Sequence, residues 1–336
     1  MNQLPPPAAN RLSRRDFLKI TAVSAAAVAA SYLLGRPSFG GPAAAYPAAY
    51  QESRLLMGTL VNLTVMAENE SQSAAAVAAT FAEMERVIGL LDYRPAAAPL
   101  ARLNREGWLA DAPPELLEVV ATAVAYGQLT GGALDISVKP LLDHLRAGGA
   151  LAAFDRTLVD YRQIELSEQT IRLARPGMAL TLDGLGKGFV VDKATAALRA
   201  NGFTNILVEA GGDLVGHGRR PDGSAWQIGI AHPRSAAVIA RLPITNQAAA
   251  TSGDYQHYFS ADFRAHHIID PRAGQSPPEL ASVTVTAPSA LDADALSTAL
   301  MVLGLEEGLA LANRLPHVSA LMVTKSLDLY KTADMT

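Results

Sequence analysis

Between Ala250 and Gly274 the chain reads A-T-S-G-D-Y-Q-H-Y-F-S-A-D-F-R-A-H-H-I-I-D-P-R-A-G, gathering three of its seven histidines, His257, His266 and His267, beside Ser252, Asp254 and Asp270. A neutral imidazole next to a carboxylate can serve as a general base or an oriented proton shuttle near neutral pH, and the same pair is the first half of many metal sites. The alternative is one histidine packed in the interior and the other solvated. Gly253 and Asp270-Pro271 mark turns, while Tyr255, Tyr258, Phe259, Ile268 and Ile269 suit strand edges. The segment is therefore expected to form a hairpin presenting His267 and Asp270 at its second end. As the base, His267, Asp270 and Asp254 all stay open.

Two other stretches carry chemistry. Thr181 to Ala194 reads T-L-D-G-L-G-K-G-F-V-V-D-K-A, an apolar strand over Leu180–Leu182 feeding a glycine-rich turn and then a helix. That geometry holds phosphate on backbone amides, with Lys187 adding charge, or simply makes a tight turn. The spacing of Gly184, Gly186 and Gly188 fits neither a P-loop nor a dinucleotide fingerprint. Farther on, D-A-D-A-L-S-T-A-L-M-V-L-G places Asp294 and Thr298 on one helical face with Ser297 close by. Among Ala, Leu and Met these oxygens need partners, and a hard cation such as Mg²⁺, bound by one carboxylate plus phosphate oxygens, supplies them. The alternative is a carboxylate favoured by the helix dipole, with Thr298 bonding back to a carbonyl.

These residues need positioning elements. Leu55–Met66 alternates as a first strand. A helix capped by Ser71 or Ser73 buries Val77, Phe81, Met84, Ile88 and Leu91. Pro113-Pro114-Glu115 opens another, which ends at Gly131-Gly132. Strands follow at Asn205–Ala210, Trp226–Ile230 and Ser282–Ala287, then the Asp294 helix ending at Gly304, a helix over Leu305–Leu315 and a strand over Val318–Val323.

The start of the chain is of another kind. S-R-R-D-F-L-K at Ser13–Lys19 is followed by an uncharged run to Gly35 and then by small residues at Ala43, Ala44 and Ala45. This is the pattern of a twin-arginine export signal, and the run is too short and alanine-rich for a comfortable membrane span. Residues 1–45 read as leader and linker, and the mature domain as 46–336, beginning near Tyr46 in the periplasm; an uncleaved leader acting as a membrane anchor is the alternative. Without the leader the chain carries 23 basic and 31 acidic residues, a net charge of about −8 with no basic cluster, which argues against nucleic-acid binding. The absence of cysteine excludes disulfides, thiolate metal sites and a cysteine nucleophile.

In order along the mature chain, M-G-T at Met57, L-N-R-E-G at Leu103, G-G-A-L-D-I-S-V at Gly131, D-G-L-G-K-G-F-V-V-D, E-A-G-G-D at Glu209, A-T-S-G-D-Y at Ala250, H-H-I-I-D-P-R-A-G at His266 and A-D-A-L-S-T-A-L at Ala293 resemble the ApbE family of flavin transferases. The leader and the T-L-D-G form of the lysine motif are most similar to its NosX-like branch, associated with maturing a flavin-bearing, NosR-like membrane protein of nitrous oxide reduction. The resemblance implies a single α+β domain, T-fold-like, of mixed sheets flanked by helices. It implies an enzyme that cleaves FAD and attaches FMN by a phosphoester to a threonine or serine of an acceptor flavoprotein, using Mg²⁺ and releasing AMP. Export implies the Tat translocon as a transient partner. By the same resemblance Met57, Tyr93, Ala133, Leu134, Asp135, Thr181, Asp183, Lys187 and Ile268 fall at FAD, and Gly184 (through its carbonyl), Asp294, Ser297 and Thr298 at the metal. His267 falls at a histidine needed for catalysis, with Asp270 beside it as a second catalytic candidate. Thr181 stands where most relatives carry an acidic residue, and Ala273 where threonine is usual. An FAD-delivery protein without transferase activity and an FAD pyrophosphatase are the competing expectations.

Overall fold

The computed structural model describes residues 48–67 and 69–335; the expected leader, the expected mature start near Tyr46 and Thr336 lie outside the described residues. The first strand expected over Leu55–Met66 is two strands, β1 (Ala48–Leu56) and β2 (Thr59–Ala67), paired antiparallel around Met57-Gly58. Both turn residues have positive φ, 53° and 73°, the two-residue turn whose twist suits a hairpin. A methionine rarely takes this conformation, so the apolar alternation runs on through the turn without a break.

Helix α1 (Glu70–Leu91) buries Val77, Phe81, Met84 and Leu91 as its periodicity requires, with Ile88 only half-buried, but its cap is Asn69, whose side chain accepts from the Gln72 amide at 3.0 Å. Ser73 instead turns its hydroxyl back to the Asn69 carbonyl. After α2 (Pro99–Glu106), β3 (Trp108–Leu109), α3 (Pro114–Leu129), α4 (Lys139–Arg146), β4 (Ile164–Leu166) and β5 (Ile171–Leu173), the three short strands make a small sheet in the order β3-β5-β4. Gly131 and Gly132, both at positive φ, end α3.

The remaining elements are α5 (Gly186–Ala200), β6 (Ile206–Ala210), β7 (Asp213–His217), β8 (Trp226–Ala231), β9 (Val238–Ile244), β10 (Gln247–Gly253), β11 (Leu280–Ala287), α6 (Ala290–Leu303), α7 (Leu305–Ala312), β12 (Ser319–Thr324) and β13 (Leu329–Lys331). Eight strands form one sheet in the order β1-β2-β6-β7-β10-β11-β12-β13, with every neighbouring pair antiparallel. Alternate residues divide between its faces. Ala248, Ala250, Ala320 and Met322 join the core under α1, α5 and α6, whereas Ala249, Leu321 and Val323 join a second cluster with Trp226, Ile230, Leu242 and Ile244 of the β8-β9 ribbon. The sheet is thus covered on both sides.

Helices α5 and α6 meet closely enough that a Cβ on Gly188 falls 2.1 Å from the Ala290 carbonyl oxygen. Each helix caps the other. Asp192 of α5 accepts from the Ala290 and Leu291 amides at 2.8 Å each, and Asp294 of α6 accepts from the Gly188 amide at 3.0 Å. These carboxylates satisfy the orphan N–H groups that a helix start leaves behind.

Two expected elements take other forms. Leu180–Leu182 belongs to no sheet; the Asn104 side chain accepts from the Leu180 amide at 2.6 Å and donates to its carbonyl at 2.8 Å, replacing a partner strand. The segment after Gly253 is not a regular hairpin. Isolated bridges join Tyr258 to His266 and Asp270 to Gln275, with turns between them.

Candidate functional site

The glycine-rich turn and helix α6 come together at Gly184, whose Cβ position lies 3.3 Å from Thr298 Cγ2 and 3.2 Å from Leu134 Cδ1. Opposite, Ser252 at the end of β10 sets its hydroxyl 2.9 Å from Ser297 Oγ and 3.1 Å from Thr298 Oγ1, while Ser297 Oγ donates to the Asp294 carbonyl at 3.0 Å. Lys187 ion-pairs with Asp213 and lies 3.7 Å from Asp294 Oδ1. Both carboxylates are buried, their side chains 2% and 4% exposed, whereas the lysine side chain is 35% exposed. Burial works against the Lys187 charge, but the two carboxylates outweigh it and hold the pKa above the ordinary lysine range. Burial, with Asp294 adding, raises that of Asp213.

His267 is held by the segment that follows β10. Its backbone amide donates to the His257 carbonyl at 2.9 Å and its Nδ1 lies 3.2 Å from the same oxygen. A proton on Nδ1 satisfies that contact and leaves the Nε2 lone pair free. Burial pushes the imidazole down to about 4, the bond to His257 opposing and the charges of His257, His266 and Lys187 adding. His266 is fully buried, with Nε2 3.2 Å from the Pro277 carbonyl and Nδ1 without a hydrogen-bond partner.

The expected site residues fall into three groups. Gly184, Lys187, Asp294, Ser297, Thr298 and Leu134 form the cluster just described. Around it, Met57 tips the β1-β2 turn, whose Thr59 packs on Gly211 two residues before Asp213. Tyr93 lies under the Lys139 ammonium at 4.3 Å, and its neighbour Arg94 feels the charge of Asp183. Buried Thr181 receives the Asp183 amide on its hydroxyl at 3.3 Å, and Ala133 and Ile268 belong to the core.

The third group is engaged elsewhere. Asp135 accepts from the Ser137 amide and hydroxyl and from the Tyr161 amide, a structural cap whose burial raises its pKa. Asp270 pairs with Arg272 rather than with His267, in a turn whose carbonyls at residues 271–273 receive the Arg156 guanidinium. Asp254, also open as a base, is fully buried in a bidentate pair with Arg234 at 2.7 Å and a second pair with Lys325 at 2.9 Å. Two residues of the cluster, Asp213 and Ser252, are not among the site residues expected from the sequence. Their motifs, E-A-G-G-D and A-T-S-G-D-Y, were the available signals.

The donor set decides what the cluster can hold. Asp294, Asp213, Ser252, Ser297 and Thr298 offer only oxygen, an ammonium already sits against the carboxylates, and among the described residues no three His, Cys, Asp or Glu side chains form a metal-binding group by themselves. An oxygen set with few carboxylates fits a hard divalent cation that completes its shell with ligand phosphate and water, and does not fit zinc.

Fold and site together set a glycine-rich helix start and its lysine against a cluster of buried oxygen donors. The chain belongs to the ApbE family, whose pattern matches residues 57–322. The FAD:protein FMN transferase of Salmonella typhimurium is 30% identical over 337 residues, spanning 94% of this chain and 96% of that protein. The ApbE protein of Thermotoga maritima has a TM-score of 0.75 at 26% identity, covering 85% of this chain and 97% of that one. The apo flavinyl transferase ApbE of Pseudomonas stutzeri gives 0.75 at 28%, with 85% and 95% covered. A twin-arginine translocation signal matches residues 11–31, and no described helix is long and apolar enough to cross a membrane.

Proposed function

We propose that the chain is an FAD:protein FMN transferase acting on an exported or membrane-bound flavoprotein. The convergence of Asp294, Ser297, Thr298, Ser252 and Lys187 at Gly184 carries this reading, because it gathers charge and oxygen donors where a pyrophosphate can sit. Family membership and the name shared by the Salmonella typhimurium relative support it.

In the proposed reaction the acceptor's serine or threonine oxygen bonds to the phosphorus on the FMN side of FAD. The bond from that phosphorus to the bridging oxygen breaks, and AMP leaves with that oxygen and its electron pair. The hydroxyl proton passes to Nε2 of His267, which is neutral at physiological pH and held in one tautomer by the His257 carbonyl. Lys187, in the first turn of α5 beside Asp213 and Asp294, supplies fixed positive charge. Asp294, Thr298, Ser297 and the Gly184 carbonyl would hold Mg²⁺, which would neutralise phosphate charge. Phosphoryl transfer asks little more of a protein than such positioning and charge stabilisation.

The leader supports a periplasmic location, with residues 1–45 removed and the catalytic domain running over 46–336. The T-L-D-G form of the lysine motif supports placing the chain with the NosX-like branch and a NosR-like acceptor of nitrous oxide reduction. Incubation of the mature chain with FAD, MgCl₂ and an unflavinylated acceptor should give AMP and a covalent FMN adduct detected by mass spectrometry. Free FMN with AMP would make it a pyrophosphatase instead, and bound FAD with no AMP a delivery protein.

A further inference from the structure

Two large aromatics next to the candidate catalytic histidine have no partner on their outer faces. Phe259 is 70% exposed and Tyr258 52%. They immediately follow His257, whose carbonyl holds both the amide and the ring of His267. Since consecutive residues advance the chain by at most about 3.6 Å each, Phe259 lies within about 7 Å of that carbonyl along the backbone.

The segment that carries them is braced at its base. Tyr258 bridges to His266, and the Phe259 amide donates to the Ala265 carbonyl at 2.7 Å. Phe263, at φ 59°, sits under the Arg234 guanidinium at 3.9 Å and gives its carbonyl to Lys325 Nζ at 2.6 Å. Arg234 and Lys325 are themselves fixed by buried Asp254. The Tyr258 ring rests on Phe263 at 4.6 Å. Exposed apolar surface on a floppy loop is ordinary, but here a buried ion cluster holds it in shape. An interface element set in advance loses less entropy on docking, and exposed aromatics are the residues that most often anchor interfaces.

The geometry points to the loop from Tyr255 to Ala265 as the docking element for the acceptor protein, with Tyr258 and Phe259 gripping apolar side chains beside the serine or threonine that receives FMN. This rests on the transferase reading above. Because the His257 carbonyl that holds His267 is followed directly by Tyr258 and Phe259, continuity with His267 selects the acceptor, rather than FAD or a second copy of this chain, as the occupant.

The test places the photo-crosslinking residue p-benzoylphenylalanine at position 259, or at the comparably exposed Trp108 of the small sheet (54% exposed), in the full chain in cells. Irradiated adducts are then examined for covalent flavin by in-gel fluorescence. Position 259 should capture a protein bearing covalent FMN, and position 108 should not. The double variant Tyr258→Ala with Phe259→Ala should slow accumulation of the fluorescent acceptor band about tenfold or more, as loss of an interface anchor does, with unchanged FAD affinity by fluorescence titration and a folded chain by circular dichroism. Flavinylated protein that forms at the normal rate in the double variant, or that is captured equally from position 108, overturns the docking assignment. Absence of any covalently flavinylated protein dependent on this chain overturns the transferase reading itself.

Discussion

Gly188→Ala tests the reciprocal packing on which the site depends. The added Cβ falls 2.1 Å from the Ala290 carbonyl oxygen, 2.5 Å from its carbon and 2.8 Å from the Leu291 nitrogen, all of them backbone and all inside the 3.0 Å that real Cβ atoms respect. Helices α5 and α6 must separate by about 1 Å to admit it. Overpacking of this kind costs about 1–3 kcal/mol, and stretching the Gly188 amide to Asp294 carboxylate bond adds up to about 1.5–3 kcal/mol. The better helix propensity of alanine returns about 0.5–1 kcal/mol, leaving a net loss of about 2–5 kcal/mol. Because Asp294 moves with α6, a shift of about 1 Å at the site should also lower transfer about a hundredfold. Gly186→Ala in the same turn is the control, since its Cβ meets only Leu182 Cβ at 3.4 Å and stability should hold or rise. Urea unfolding of both variants, with acceptor flavinylation rates, decides the matter. Gly188→Ala within about 0.5 kcal/mol of wild type and fully active would refute the close-packing argument.

His267 titrates at about 4 in the folded chain against 6.5 for a freely solvated imidazole, so the unfolded chain binds the proton first as pH falls. Stability present above pH 6.5 should therefore be lost between about 6.5 and about 4, by up to about 3 kcal/mol; urea midpoints across that range should show a shallower fall in His267→Gln, and equal slopes would argue against a desolvated neutral imidazole. Adding MgCl₂ with FAD should raise the melting temperature by an amount equivalent to about 2.7 kcal/mol at a hundredfold excess over Kd; Asp294→Asn should abolish the magnesium-dependent part, and a surviving shift would place the cation elsewhere. Asp254→Ala leaves Arg234 and Lys325 facing a buried gap and should cost about 3–5 kcal/mol, read by chemical denaturation, with Asp254→Asn intermediate; neutrality of the alanine variant would remove the cluster from the account of the loop.

Much of the helical framework was legible because amphipathic spacing and helix stops are local. The run Val77, Phe81, Met84 and the Gly304 stop lie where the sequence places them. What escaped depends on remote partners or on an unusual local state. Leu180–Leu182 has strand composition, yet Asn104, 76 residues earlier, takes both backbone groups of Leu180. Met57 in a left-handed turn hid a hairpin inside one alternating run. The histidine segment has strand residues, but a buried Asp254 cluster and short turns shape it instead. The site followed the same rule. Asp294, Ser297 and Thr298 were legible as neighbours on one helix turn, whereas Asp213 and Ser252 become neighbours of Lys187 and Ser297 only through the packing of α5 and α6 on the sheet, 26 and 45 residues away in sequence.

Asp294 has two separable duties, and the choice of substitution can distinguish them. Its Oδ2 accepts from the Gly188 amide at 3.0 Å, a bond within the interhelical packing, while Oδ1 faces Lys187 at 3.7 Å and belongs to the site. Asparagine keeps an oxygen for the Gly188 amide and removes the charge; alanine removes both. Alanine should therefore cost about 1–3 kcal/mol more stability than asparagine, the penalty for leaving a buried amide unpaired, although Lys187 keeps Asp213 in either variant. Both should lose transfer. If asparagine unfolds the chain as readily as alanine, the carboxylate's charge holds the helices together and the bond to Gly188 is incidental; if asparagine retains transfer, the oxygen cradle around Gly184 is not where phosphate charge is met.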